Sequence, residues 1–180
     1  KLMKKNFTII AKKVINLQIQ ALNKVKNSLG RSFNEAINLK PNFVESYFNL
    51  GTTYFKEFNA QEAIKNYKKV ISISGGHFEA HINLSQAYIF EGDLALAISE
   101  LEAAAVLNPK SSKVFNNLGI CYMDFGEQSL AKENFSKAID IDPKNSGAWL
   151  NLSQQIDFRD HPRLIEKLLA LSVSISDTGL

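Results

Sequence analysis

The sequence predicts an all-α solenoid of antiparallel helix pairs, and three observations carry that reading. One octet pattern recurs at equal intervals of 34 residues: YFNLGTTY from Tyr47, HINLSQAY from His81, FNNLGICY from Phe115 and WLNLSQQI from Trp149. A fixed period between 20 and 50 residues marks a stack of supersecondary units, each too small to bury its own apolar face. Within the octets Leu50, Leu84, Leu118 and Leu152 lie four residues before Tyr54, Tyr88, Tyr122 and Ile156; that spacing places each pair on one helical face. Chain-reversing residues close the units at Gly75, Pro109 and Pro143, since proline lacks a donor and clashes with the preceding turn.

The elements follow in order. Residues 1–43 are read as a basic N-terminal helix plus a degenerate first repeat. Phe7, Ile10, Val14, Leu17, Ala21 and Val25 form an apolar stripe at helical spacing on a lysine-rich segment, and Phe33, Ala36 and Pro41 fall where a second helix should carry them. Full units are expected over 44–77, 78–111 and 112–145. In each a small residue, Gly51, Ser85 or Gly119, lies on the first helix where a neighbouring helix comes close. The loop after it holds Gly92 or Gly126, either of which can take the positive φ that ends a helix. Ala63, Ala97 and Ala131, then Tyr67, Leu101 and Phe135, then Val70, Ala104 and Ala138 make the apolar face of the second helix. A degenerate fourth unit spans 146–173, its loop rewritten as QIDFRDHP, with Asp160 expected to cap a helix running from Pro162 to about Ser172. The tail over 174–180 is expected to fray. No polar capping helix closes the C-terminal end, although a solenoid end calls for one.

Composition narrows the function. A 45% hydrophobic, 22% charged chain is an ordinary globular one. The single cysteine, Cys121, has no partner for an internal disulfide, and no Cys/His spacing suits zinc, so a reducing, cytoplasmic setting is expected. No apolar run reaches the length of a membrane span, and the start lacks the apolar core of a secretory signal. The opening at Lys1 rather than methionine reads as a piece of a longer product. Residues 1–40 carry nine Lys/Arg against Glu35 alone, yet without interleaved aromatics and with one arginine they read as a solvated face rather than a nucleic-acid or lipid contact. His77 and His81 stand four apart, but one lies in a turn and the other at a core position, so no metal site is assigned. Cys121 takes a small core position and reads as a buried thiol. Asn-x-Ser/Thr triplets at Asn83 and Asn151 fall inside helices and are read as coincidences. No phosphate loop, HExxH or nucleophile elbow is present. Neither a cofactor nor catalysis is expected.

The third unit resembles the tetratricopeptide repeat throughout: Phe115, Leu118, Gly119, Tyr122, Ala131, Phe135, Ala138 and Pro143 stand where that family has its aromatic, leucine, glycine, alanine and proline positions. The two units before it match at most of them. The resemblance implies a right-handed superhelix whose first helices line a concave groove that holds a peptide. In the family's register the groove-facing residues are Phe48, Asn49, Thr52, Phe55 and Lys56; Ile82, Asn83, Gln86, Ile89 and Phe90; Asn116, Asn117, Ile120, Met123 and Asp124; and Leu150, Asn151, Gln154 and Phe158, with Glu45, Glu79 and Lys113 at the rim. Asn49, Asn83, Asn117 and Asn151 precede the leucine of every unit. They resemble the asparagine ladder in the repeat domain of O-linked N-acetylglucosamine transferases, and an amide can pair with the main chain of an extended peptide without reading its side chains. The apolar floor of the groove calls for a cover.

Family members that bind chaperone tails use a set of Lys, Asn and Arg; here the matching positions hold Phe48, Thr52, Asn83, Lys113 and Asn117, and only Asn83 and Lys113 agree. Chaperone-tail binding is therefore not expected. The function expected is a protein-interaction scaffold that takes a peptide segment of a partner, with no nucleic-acid or membrane partner. The alternative is the substrate-recruiting arm of a larger glycosyl-, sulfo- or methyltransferase, and open solenoid ends leave self-association as a third possibility.

Overall fold

The computed structural model describes residues 44–176 and, before them, Gln20, Lys24, Asn27, Ser28, Gly30, Arg31 and Ser32, all helical. The expectations for the rest of 1–43 and for residues 177–180 lie outside the described residues. Lys24 stands one period before Phe58, which is in a turn, so the break between paired helices does not recur at that position.

Among the described residues every regular element is helical: α1 (Val44–Lys56), α2 (Ala60–Ile73), α3 (Phe78–Glu91), α4 (Leu94–Leu107), α5 (Ser112–Phe125), α6 (Gln128–Ile141), α7 (Ser146–Ser153), a 3-10 turn (Phe158–Asp160) and α8 (Pro162–Ser176). From α1 to α7 each helix packs on the next in sequence. Successive first helices also meet, α1 with α3 and α5 with α7, and second helices have no contact of that extent with one another. The first helices are the side on which the repeat resemblance expects the concave groove. No described helix is long and apolar enough to cross a membrane.

Local chemistry sets the ends of these helices. The side chain of Asn59 accepts from the backbone N–H of Glu62 at the start of α2, and Asn145 accepts from Ala148 at the start of α7; each satisfies one of the orphan donors of a first turn. His77 does the same for α3, its Nδ1 accepting from the Ala80 N–H at 3.2 Å. Gly92 and Gly126 end α3 and α5 in the left-handed region, at φ 86° and 93°. One period earlier the equivalent residue is Phe58, and it takes φ 60° without the freedom of glycine.

The C-terminal unit differs from expectation in two ways. Asp160 lies inside the 3-10 turn, so it is His161 that precedes Pro162. Asp157 caps the 3-10 turn rather than α8: it accepts from the Arg159 backbone N–H at 3.0 Å and also takes the Arg159 guanidinium. The Arg159 side-chain hydrogen bonds hold the Asp157 carboxyl below the usual carboxylate range. Helix α8 runs to Ser176, past Ser172, because no glycine or proline interrupts the sequence before Gly179.

The core runs through all units, from Ala63, Tyr67 and Leu84 to Trp149, Leu152 and Leu164. Its tightest points are inside the units. A Cβ on Gly119 would lie 2.4 Å from the Phe135 ring, and one on Gly51 would lie 2.8 Å from the Tyr67 ring. Both rings are fully buried, so neither can swing aside without opening the core. Where the second helix carries Leu101 instead of a ring, the small residue is Ser85, whose hydroxyl donates to the Ile82 carbonyl at 2.7 Å. Glycine is thus matched to an aromatic and serine to a leucine.

The packing predicts that Gly119→Ala destabilises the chain by about 2 kcal/mol, the usual scale for overpacking a tight core. Phe135→Leu should relieve the clash, so the double variant measured by urea unfolding is less destabilised than the sum of the singles. Additive effects would mean that the ring and the glycine are not in contact.

Cys121 is buried beside this core. Burial, with the nearby Asp124 charge, pushes its thiol up to about 11 from 9.0. The native state keeps this proton at pH values where the unfolded state has lost it, so the contribution is complete below pH 9 and fades as pH rises towards 11. Unfolding free energy should therefore fall between pH 9 and pH 11, and Cys121→Ala should flatten that decline. A disulfide reagent at pH 8 should label Cys121 only after denaturant is added.

Candidate functional site

The expected groove residues lie on α1, α3, α5 and α7. Phe48 is half-buried, its ring stacked on His77 at 4.9 Å and tilted against Tyr67 at 6.0 Å. The Thr52 hydroxyl donates to its own helix at the Phe48 carbonyl and lies 3.2 Å from the Tyr67 hydroxyl. Ile82 is only 6% exposed and belongs to the core rather than to an accessible floor. Gln86, Ile120 and Met123 are half-buried, and Ile89, Phe90 and Leu150 are exposed. The Gln155 amide lies 3.2 Å from the Met123 sulfur.

The four asparagines are all half-buried, but they are not equivalent. Asn49 reaches Glu45 of its own helix at 3.4 Å. Asn83 faces the Tyr67 hydroxyl, on the second helix of the preceding unit, closely enough to favour its ionised form against the larger effect of burial. One period later the residue at the place of Tyr67 is Leu101, which has no hydroxyl to offer, and among the described residues Asn117 has no side-chain hydrogen-bond partner. Asn151 has Phe135 at that place and turns instead to Asn116, donating to its Oδ1 at 3.2 Å. The row is therefore tied down at Asn151, turned to the Tyr67 hydroxyl at Asn83 and open at Asn117.

A second cluster stands at the other end of the groove. The rings of Phe55 and Phe90 meet edge to face at 6.3 Å, and Phe58 lies 6.2 Å from Phe90. Phe58 is 79% exposed and Phe90 54%. Sequence reasoning missed Phe58, although a signal was present: a bulky residue occupies the position that Gly92 and Gly126 hold in the next two units. Left-handed backbone costs a non-glycine residue about 1 kcal/mol, and here the cost is carried by a ring that projects into solvent.

The remaining polar residues near the groove hold the fold. His81 sits 2.7 Å from the Glu100 carboxylate and 3.1 Å from the Gly75 carbonyl, joining α3 to α4 and to the turn before it. Asn145 donates to Ser112 at 2.6 Å, and Ser112 in turn donates to the Ala138 carbonyl at 2.8 Å. The Trp149 indole donates to the Pro143 carbonyl at 2.8 Å.

The asymmetry of the asparagines gives a direct test. Asn83→Ala removes the amide that faces the hydroxyl of a buried tyrosine and should cost about 1 kcal/mol of unfolding free energy. Asn117→Ala should cost less than about 0.5 kcal/mol. Equal losses in thermal or urea unfolding would mean that both amides serve the fold alike.

Family models described as tetratricopeptide repeat match residues 54–118 and 112–145. No curated protein matches the sequence. Among solved structures the chain is similar to the crystal structure of MamA, at 24% identity over 87% of this chain and 95% of that one, with a TM-score of 0.70. It is similar to YrrB, titled a TPR protein with an unusual peptide-binding site, at 22% identity over 72% of this chain and 66% of that one, with a TM-score of 0.63. The first TPR of Spaghetti (RPAP3), bound to the HSP90 peptide SRMEEVD, aligns at 23% identity over 62% of this chain and 88% of that one, with a TM-score of 0.59.

Proposed function

The chain belongs to the tetratricopeptide-repeat family, and from that premise we propose that it is a protein-interaction scaffold whose first helices hold an extended segment of a partner protein. The observation that carries the reading is Asn117. Its amide is half-buried on the inner face and has no partner among the described residues, while Asn83 at the equivalent place faces the Tyr67 hydroxyl. A half-buried amide offering both donor and acceptor suits the main chain of a bound peptide.

The aromatic corner supports the same reading. Phe55, Phe58 and Phe90 offer apolar faces at the end of the groove, and solvent-exposed rings on a strained backbone gain from being covered. The peptide-binding site of YrrB and the HSP90 peptide bound to the RPAP3 repeat domain support a groove of this kind. The partner would lie along α1, α3 and α5, its backbone against Asn117 and its larger side chains against Ile120, Met123 and the phenylalanines.

Phe58→Gly separates binding from folding. It should raise unfolding free energy by about 1 kcal/mol by relieving the left-handed strain, yet lower capture of the partner from a lysate of the source cells by roughly fivefold, the loss of one aromatic anchor. Asn117→Ala should lower capture with little change in stability. Retention of the same proteins at wild-type levels by both variants contradicts the groove reading.

A further inference from the structure

The seam between each second helix and the next first helix repeats with the same period, which allows one seam to serve as control for the next. At the first, Gln61, Ile64, Tyr88, Glu91, Asp93 and Leu96 stand at the edge where first helices end and second helices begin. The Gln61 amide donates to the Glu91 carboxylate, joining α2 to α3. One period later the same six places hold Ala95, Ile98, Tyr122, Phe125, Glu127 and Leu130. Ala95 is too short to reach across, and Phe125 has no acceptor to meet it.

These six residues line a cavity of about 400 Å³ at the second seam. Its walls are mostly apolar, and Phe125 and Leu130 are 54% and 38% exposed. Its rim is acidic. Glu127 is a lining residue, Glu102 accepts from the Tyr122 hydroxyl at 2.7 Å, and the charges of Glu102, Glu127 and Glu133 all bear on Tyr122. No lysine or arginine is among the lining residues.

We propose that this seam is a second docking site, separate from the groove, which takes an aliphatic or aromatic side chain from a lysine- or arginine-flanked segment of a partner protein. The cavity supplies the apolar contact. Three carboxylates around one opening repel an acidic segment, a nucleic-acid backbone or an anionic membrane surface, and they favour cationic flanks. Specificity thus comes from both attraction and repulsion.

The test is an amide NMR titration of the full chain with three capped pentapeptides. Lys-Lys-Leu-Lys-Lys should shift the signals of Ala95, Ile98 and Leu130 and bind about tenfold tighter than Lys-Lys-Ala-Lys-Lys, as expected for burying a leucine side chain. Glu-Glu-Leu-Glu-Glu should leave those signals in place. Ala95→Gln with Phe125→Glu installs the pair that spans the first seam, filling the opening while adding a negative charge. Binding of the leucine peptide should then fall about tenfold despite the extra attraction. Equal binding of the leucine and alanine peptides, or tighter binding by that double variant, overturns the proposal in favour of charge alone. Glu127→Gln with Glu133→Gln alters only exposed positions and should weaken the leucine peptide several-fold at low salt; an unchanged affinity removes the acidic rim from the account. Shifts at the same signals with a single-stranded oligonucleotide also overturn it.

Discussion

Where the rings of Tyr67 and Phe135 meet Gly51 and Gly119, the two helices of a unit come closer than any side chain on the first helix would permit. That approach sets the angle and distance within a pair. The ring then fills the space left over, fully buried, and contributes about 1.5–3 kcal/mol of apolar transfer free energy at each site. Because a pair cannot cover its own apolar face, the next pair must stack on it, and the same geometry repeated gives a curved stack. The exchange of Gly–aromatic for Ser–Leu in the middle unit preserves the volume at this contact while changing its chemistry.

The middle-unit exchange has a consequence on the inner face. Tyr67 packs on Gly51, donates its hydroxyl to Thr52 and presents its phenol oxygen to the Asn83 side chain. Leu101 fills its place in the core but leaves Asn117 without that partner, and Phe135 does the same for Asn151, which pairs with Asn116. One family of positions therefore spans a range from structural to available, and the difference originates on the neighbouring second helix. The seam at Ala95 and Phe125 follows the same logic: two substitutions relative to Gln61 and Glu91 leave an opening where the previous unit has a hydrogen bond.

Much of the fold was legible from period and spacing. The helix pairs, the glycine stops at Gly92 and Gly126 and the burial of Cys121 all rest on local rules that the sequence states directly. The end of α8 and the residues before it were less legible, since the backbone of the rewritten loop folds Phe158–Asp160 into a 3-10 turn that Asp157 caps, which leaves His161 ahead of α8. On the inner surface, periodicity identifies which residues share a face but not which of them a neighbour already occupies. Ile82 has the spacing of a groove residue and is buried; Phe58 lacks it and is exposed, because its left-handed turn aims the ring outward.

The central claim is that partners are held on the first-helix side of the curve. A photo-crosslinking phenylalanine analogue placed at Ile120, half-buried on α5, and separately at Val106, exposed on α4, compares the two sides in otherwise identical chains. The account predicts a partner adduct from position 120 that is lost with Asn117→Ala, and none from position 106. An adduct from position 106 alone, or equal yields at both, would place the partner on the outer surface and contradict it.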